Sequence, residues 1–217
     1  MRSGLGTLFA VTSLMVTGVS SLADTRGEAV LRRALSALKS VKSLQAEVSV
    51  PHGHGTLHLM PPHALRWVVE VKAEDKTTKT TVVQNGSRLN TLVQPPNGTT
   101  EQVLKQNNLP TSLEIPKLVL LYRTPSLLTA KGKPTYLGSV TRNARKLEVL
   151  KFAGSEEVLF LDSKGFPVGE GSDPKGVQIE TSLSNLRLNT SLPPKTFAFV
   201  PPKDAKPMEE AVNLEMQ

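Results

Sequence analysis

Residues 55 to 71 constrain the fold most strongly, because apolar and polar side chains alternate there on both sides of a Pro-Pro pair. The apolar positions are Leu57, Leu59, Leu65, Trp67 and Val69. A period of two predicts two strands with one buried face. Pro61 and Pro62 lack the N–H that a ladder needs, so the chain is expected to turn between the strands. An antiparallel sheet with one apolar face requires a covering layer.

The same alternation recurs along the chain and predicts a sheet of many strands. Strands are predicted over residues 44–50, 77–84, 88–93, 135–140, 146–152, 158–162, 166–169 and 177–188, with an edge strand at 197–199. Asn85-Gly86 is a strong signal for a two-residue hairpin turn. Short turns between successive strands indicate a meander.

Two segments have helical spacing and are predicted to cover this sheet. Residues 24–42 place Leu31, Leu35 and Leu38 on one stripe of an amphipathic helix. Residues 110–129 form a leucine-rich insert, which Pro116 and Pro125 divide into short helices able to shift as a lid. The sequence therefore predicts a mainly β protein with helices, of the α+β class.

The N-terminus has the pattern of a secretory signal peptide. Arg2 precedes an uncharged, mostly apolar run over residues 4–19, and Ser21-Leu22-Ala23 supplies small residues for cleavage after Ala23. An uncleaved membrane anchor is the rival interpretation. Cleavage would leave a folded domain over residues 24–202 and a flexible tail over 203–217. The chain contains no Cys, which suits a disulfide-free protein of the bacterial periplasm.

Composition and motifs argue against several classes of function. The net charge of +7 is accompanied by only 4% aromatic residues, so attraction to an anionic membrane surface is favoured over binding to nucleic acid. The sequence has no Gly-x-Ser-x-Gly elbow, no Cys nucleophile and no phosphate-binding loop. We therefore expect neither an enzyme nor a bound cofactor.

Histidines cluster around the first predicted turn. His52, His54 and His58 share one face if the strand is unbroken, and His63 lies nearby. Imidazoles at this spacing can bind zinc or copper. Glycines interrupt the group and no carboxylate completes it, so exposed turn histidines without a metal are the favoured interpretation.

Several short motifs, in order along the chain, resemble one known family. They are Ser43-Leu44-Gln45-Ala46, Gly55-Thr56-Leu57, Arg66-Trp67, Asn85-Gly86, Leu161-Asp162, Gly165-Phe166-Pro167 and the closing Phe197-Ala198-Phe199-Val200-Pro201-Pro202. The sequence resembles a divergent member of the outer-membrane lipoprotein carrier family, the LolA- and LolB-like proteins. The resemblance implies an incomplete antiparallel β-barrel, or half-barrel, whose open side is covered by the N-terminal helix and the helical insert, with a cavity that holds acyl chains.

Two functions follow from these expectations. The first is a periplasmic carrier, in which a hydrophobic cavity shelters the acyl chains of a lipid or lipoprotein during transport, as a chaperone does. Its expected ligand-binding residues are Leu57, Leu59, Leu65, Trp67, Val69, Leu118, Leu121, Leu127 and Leu128. The second is an envelope-sensing or protein-interaction module without transport. An envelope membrane protein is the expected partner, and the chain is expected to be a monomer.

The signal-peptide pattern generates a first prediction, which concerns processing. The exported chain should begin at Asp24, because the small residues at Ser21 and Ala23 fit the cleavage site of signal peptidase. Intact-mass measurement of the exported protein checks this. A mass that retains residues 1–23, recovered with the membrane fraction, would instead support the uncleaved anchor.

Overall fold

The computed structural model describes residues 17–74, 76–86, 88–95, 115–172 and 179–203. The strands are β1 (Leu44–Val50), β2 (Gly53–Met60), β3 (Ala64–Ala73), β4 (Lys76–Asn85), β5 (Arg88–Gln94), β6 (Pro134–Arg142), β7 (Arg145–Phe152), β8 (Val158–Leu161), β9 (Pro167–Gly171) and β10 (Thr181–Leu188). The helices in this part of the chain are α1 (Thr17–Lys39), α2 (Lys117–Arg123) and α3 (Ser126–Ala130). A 3-10 turn spans Pro194–Phe197.

All ten strands belong to one antiparallel sheet of two consecutive meanders. The strand order is β5-β4-β3-β2-β1-β10-β9-β8-β7-β6. The pairing of β1 with β10 joins the two meanders, while β5 and β6 form the two edges. The sheet is therefore a half-barrel that does not close, and the predicted α+β class is confirmed.

The strand register places the apolar residues of residues 55–71 together on the concave face. Leu57 pairs with Trp67, which pairs with Val82 of β4. Leu59 pairs with Leu65 on the same face. Their side chains are at most 2% exposed, whereas Met60 on the opposite face is 40% exposed. The strand alternation predicted from the sequence is confirmed here, and the concave face forms the main core.

Helix α1 covers the end of the concave face that β6 and β7 form. Its apolar stripe of Val30, Ala34 and Leu38 is buried in the core. At Gly27 a Cβ atom would lie only 2.6 Å from the carbonyl oxygen of Pro134 in β6, so the close approach of helix and strand requires glycine. An ion pair between Arg33 and Glu148 of β7 adds a polar contact between the two elements.

The two short helices of the insert connect the halves of the sheet across the concave side. The hydroxyl of Tyr122 in α2 donates a hydrogen bond of 2.7 Å to the carbonyl oxygen of Pro167 in β9. The Nε atom of Arg123 donates one of 3.1 Å to the carbonyl oxygen of Pro62, between β2 and β3. Burial raises the pKa of Tyr122 well above its ordinary value, so this hydroxyl stays a hydrogen-bond donor at neutral pH. These contacts hold α2 against both halves of the sheet, and the shift of the short helices as a lid stays a prediction.

Two expectations about elements differ from the structure, and two others lie outside the described residues. Helix α1 begins at Thr17 in the unprocessed chain and ends at Lys39, so it does not start near Asp24 or reach residue 42. No strand forms at Phe197–Phe199, because the chain makes a 3-10 turn over Pro194–Phe197 that buries Phe197. The start of the insert at residues 110–114, and the predicted tail from residue 204, lie outside the described residues.

The orientation of α3 leads to a prediction about two adjacent leucines. Leu128 is fully buried, whereas Leu127 points outward and is 41% exposed. Leu128→Ala should therefore lower the free energy of unfolding by about 2–5 kcal/mol, because it leaves a cavity in the core. Leu127→Ala should change it by less than about 0.5 kcal/mol. Urea denaturation of both variants checks this, and equal effects would contradict the orientation of α3.

Candidate functional site

A cavity of about 640 Å³ lies at one end of the half-barrel, beside the start of α2. Its size falls within the range of about 300–1,000 Å³ that is usual for small-molecule sites. The lining comprises Val50, Pro51, Trp67, Val69, Val71, Thr80, Val82, Val93, Ile115, Pro116, Lys117, Glu157, Glu170, Gly171, Ser172, Glu180 and Thr181. Apolar and charged side chains are therefore both present.

The apolar wall comes from the concave face of three neighbouring strands. Trp67 pairs with Val82, and Val69 pairs with Thr80, which pairs in turn with Val93 of β5. Period-two alternation alone places these side chains on one face. Trp67 is 2% exposed, so its ring is both a wall of the cavity and a part of the core.

Opposite this wall, Glu157 holds two lysines at the margin of the cavity. Its carboxylate forms ion pairs with Lys117 at the start of α2 and with Lys131 just after α3, the latter at 2.9 Å. Burial raises the pKa of Glu157, but the hydrogen bonds from both lysines outweigh burial and hold this pKa below its ordinary value. Glu157 is therefore ionised at neutral pH and fixes both helices of the insert to the segment before β8.

Glu170 is the most deeply placed carboxyl group of the cavity. It lies on the concave face of β9, where it pairs with Leu159 of β8 and Thr181 of β10. Its carboxylate accepts hydrogen bonds from the backbone N–H of Leu118 and from the hydroxyl of Thr181. Burial nevertheless raises the pKa of Glu170 above its ordinary value. The strand thus places a carboxyl group where the alternation would ordinarily place an apolar residue.

The residues predicted to bind ligand fall into three groups. Trp67 and Val69 line the cavity. Leu57, Leu59, Leu65, Leu118, Leu121 and Leu128 are at most 2% exposed and pack together in the core, outside the cavity lining. Leu127 is exposed on the outer side of α3 and lies in neither region, because adjacent residues on a helix point in directions about 100° apart and Leu128 faces the core.

The cavity therefore lies farther along the strands than the sequence suggested. The helices already cover the leucines, and the cavity lies beyond them, towards the ends of β1 and β3 and the start of β10. Val71 already belongs to the alternation of residues 55–71, and Val82 could have been found by extending this alternation to the next strand. Glu170 carried a weaker signal, a single charged residue between Gly169 and Gly171 in a short apolar strand.

The histidines are dispersed along β2 and its turns. His52 lies in the turn before β2 with a positive φ of 61°. His54 and His58 face away from the core, and burial, followed by the charge of Arg66, lowers the pKa of His58. Among the described residues, no three His, Cys, Asp or Glu side chains are grouped so that they could hold a metal ion. The absence of a metal stays a prediction.

No helix in the described part of the chain combines the length and the apolar character that a membrane crossing needs.

The raised pKa of Glu170 predicts how stability depends on pH. Because the native state holds this proton more tightly than the unfolded chain, the stabilisation is full below the ordinary pKa of 4.5 and is lost as pH rises through the raised pKa. Glu170→Gln can still accept both hydrogen bonds and does not titrate. Its free energy of unfolding should therefore rise relative to that of the wild type as pH increases across this interval.

Urea denaturation of both proteins over a series of pH values measures this difference. Glu156→Gln serves as the control, since the Glu156 side chain is 88% exposed and is not part of the cavity lining. A constant difference between wild type and Glu170→Gln at all pH values would show that Glu170 titrates normally.

Comparison with known proteins finds similarity only at the level of structure. No protein-family model matches the chain, and no curated protein matches its sequence. The crystal structure of LprF from Mycobacterium bovis is 11% identical, covers 78% of this chain and 96% of its own, and has a TM-score of 0.47. A DUF1329 family protein from Desulfovibrio piger ATCC 29098 is 10% identical, with coverages of 79% and 97% and a TM-score of 0.27. The family resemblance inferred from the sequence motifs stays a prediction.

Proposed function

We propose that this protein is a periplasmic carrier that shelters the acyl chain of a lipid or lipoprotein in the cavity beside Trp67. The observation that carries the proposal is the wall itself, where aliphatic side chains of β3, β4 and β5 continue the core face beyond the end of the covering helices. Such a wall offers van der Waals contact and the exclusion of water, which are what an alkyl chain requires.

The energetics of an alkyl chain in water support a carrier of this kind. Each methylene transferred from water to an apolar site gains about 0.8 kcal/mol. A lipid with many methylenes therefore crosses an aqueous compartment only if its chain is covered. The cavity of about 640 Å³ is large enough for one alkyl chain, so the amphiphile that fits best has a single chain or inserts a single chain.

The packed core explains how the cavity can exist without a ligand. Leu57, Leu59 and Leu65 are covered by side chains of the helices, so the sheet does not depend on a bound lipid for its main apolar contacts. Binding and release then change the surroundings of the cavity wall alone. The proposal includes export to the periplasm and binding without chemical conversion of the ligand.

Trp67 provides a direct test, because it is the only tryptophan of the chain and lines the cavity. A lysophospholipid titrated below its micelle concentration should change the Trp67 fluorescence in a saturable manner. Val71→Phe should weaken binding roughly tenfold, since an added ring in the cavity meets overpacking costs of about 1–3 kcal/mol. Val71 is half-buried and lines the cavity.

Lys72→Phe is the matched control, because the neighbouring side chain is exposed and points to the opposite face. It should bind the lipid as the wild type does. Extraction of lipids from protein purified from its native host supplies a second, independent measurement. If folded protein shows no saturable response and native preparations contain no lipid, the carrier proposal fails and the protein-interaction module becomes the leading hypothesis.

A further inference from the structure

The cavity has two chemically different sides, and this difference constrains the ligand further. One side is the aliphatic and aromatic wall of β3, β4 and β5. The other side combines Glu170 and Ser172 from β9 and its end, Glu180 and Thr181 from the start of β10, and Glu157 before β8. An amphiphile bound with its chain along the first side would present its polar group to the second.

The polar side has more hydrogen-bond acceptors than donors. The hydroxyl of Thr181 donates to Glu170, and that of Ser172 donates to Glu180. Each carboxylate can accept about four hydrogen bonds, so both keep free acceptor capacity after these contacts. The two hydroxyls are already engaged as donors, and the lining thus offers a ligand mainly acceptors.

The charges of the described lining residues also favour a ligand group that donates hydrogen bonds. Among the described residues of the lining, three carboxylates accompany one ammonium group, that of Lys117, and this group is held by Glu157. Lys131 also binds Glu157 and lies outside the lining. Among the described residues, neither Glu170 nor Glu180 forms an ion pair with a lining residue, although the charges of Lys117 and Lys131 also act on Glu170. Carboxylates therefore outnumber ammonium groups on the described part of this side.

We propose that the polar side of the cavity binds the head group of an amphiphile that donates hydrogen bonds and carries no negative charge, that is, an ammonium or hydroxyl head group. The inference rests on the proposed function, because it assumes that the apolar wall holds the chain. An ammonium group forms charge-assisted hydrogen bonds with carboxylates. A carboxylate or phosphate head would instead meet like charges in a partly dry site, where repulsion is weakly screened.

The net charge of the whole protein allows binding by the local carboxylates to be distinguished from attraction of the ligand to the protein surface in general. With a formal net charge of +7, the protein surface as a whole attracts anions. Binding governed by overall charge would therefore favour an anionic amphiphile. Binding governed by the local carboxylates favours a cationic or neutral one, so the two explanations predict opposite orders of affinity.

Three amphiphiles with the same chain separate these possibilities: dodecylammonium, dodecanol and dodecanoate, each titrated below its solubility or micelle limit at neutral pH. With Trp67 fluorescence as the signal, dodecylammonium should bind at least about tenfold more tightly than dodecanoate, the factor expected for one charge-assisted hydrogen bond. Dodecanol should bind with an affinity between the two.

Variants of the two unpaired carboxylates test their role directly. Glu170→Gln should weaken dodecylammonium binding about tenfold and change dodecanol binding by less than about twofold. Glu180→Gln, at an exposed position where folding is not at risk, should weaken dodecylammonium binding by roughly threefold. Glu156→Gln is the control, because this carboxylate pairs with Lys151 outside the cavity lining, and it should leave the order of affinities unchanged.

The outcomes separate this inference from the function on which it rests. Equal or tighter binding of dodecanoate by the wild type would overturn the head-group assignment and leave the carrier proposal intact. The head-group assignment would also be overturned, and the carrier proposal left intact, if dodecylammonium is preferred but neither Glu170→Gln nor Glu180→Gln reduces that preference. No saturable response to any of the three amphiphiles would overturn the carrier proposal and the head-group assignment together.

Discussion

The pairing of β1 with β10 is the interaction on which the rest of the structure depends. It joins two meanders that are each held by short hairpins, and its first pair connects Leu44 with Leu188. Asn189 secures this seam, because its Oδ1 atom accepts a hydrogen bond of 2.7 Å from the N–H of Lys42 and its Nδ2 atom donates one of 3.2 Å to the carbonyl oxygen of Ser40. The end of α1 is thereby fixed beside the seam. Without this non-local pair the concave face would be two separate surfaces, and neither would form a continuous core.

The cavity follows from a mismatch between the width of the sheet and the length of its cover. In the described part of the chain, α1 packs against β6 and β7, and α2 packs against β9. The apolar residues of β3, β4 and β5 continue beyond these helices towards the end of the strands. In the described residues, a wide sheet with one apolar face and a short helical cover therefore leaves a cavity beside buried side chains such as Trp67 and Val82. The cavity is a consequence of how the described strands and helices pack.

The sequence predicted the strands better than the site, and the reason is physical. Alternation with a period of two is a local property, so the strand that contains Trp67 could be recognised from its own residues. Which part of its apolar face stays uncovered depends on where α1 and α2 end, and that is set by contacts between residues distant in sequence. Leu65 and Leu121 were reasonable candidates by composition, yet both are at most 2% exposed within the core. The turn at Pro194–Phe197 was missed because Phe197 and Phe199 alternate as strand residues do, whereas the chain reaches Phe197 through a 3-10 turn that begins at Pro194.

Glu170 is the residue at which the structure departs most from the expected alternation, because a carboxyl group lies on the concave face where an apolar side chain is expected. An apolar side chain at this concave position would avoid the desolvation that raises the pKa of the carboxyl group. The retained carboxyl group has one structural role, since Pro116 provides no side-chain cap for α2 and the N–H of Leu118 in its first turn is bonded by Glu170. That role uses only part of its capacity as an acceptor. A donor in the cavity can therefore bind Glu170 while the bond to Leu118 remains, so that a ligand reaches the carboxylate without displacing the helix that covers the core.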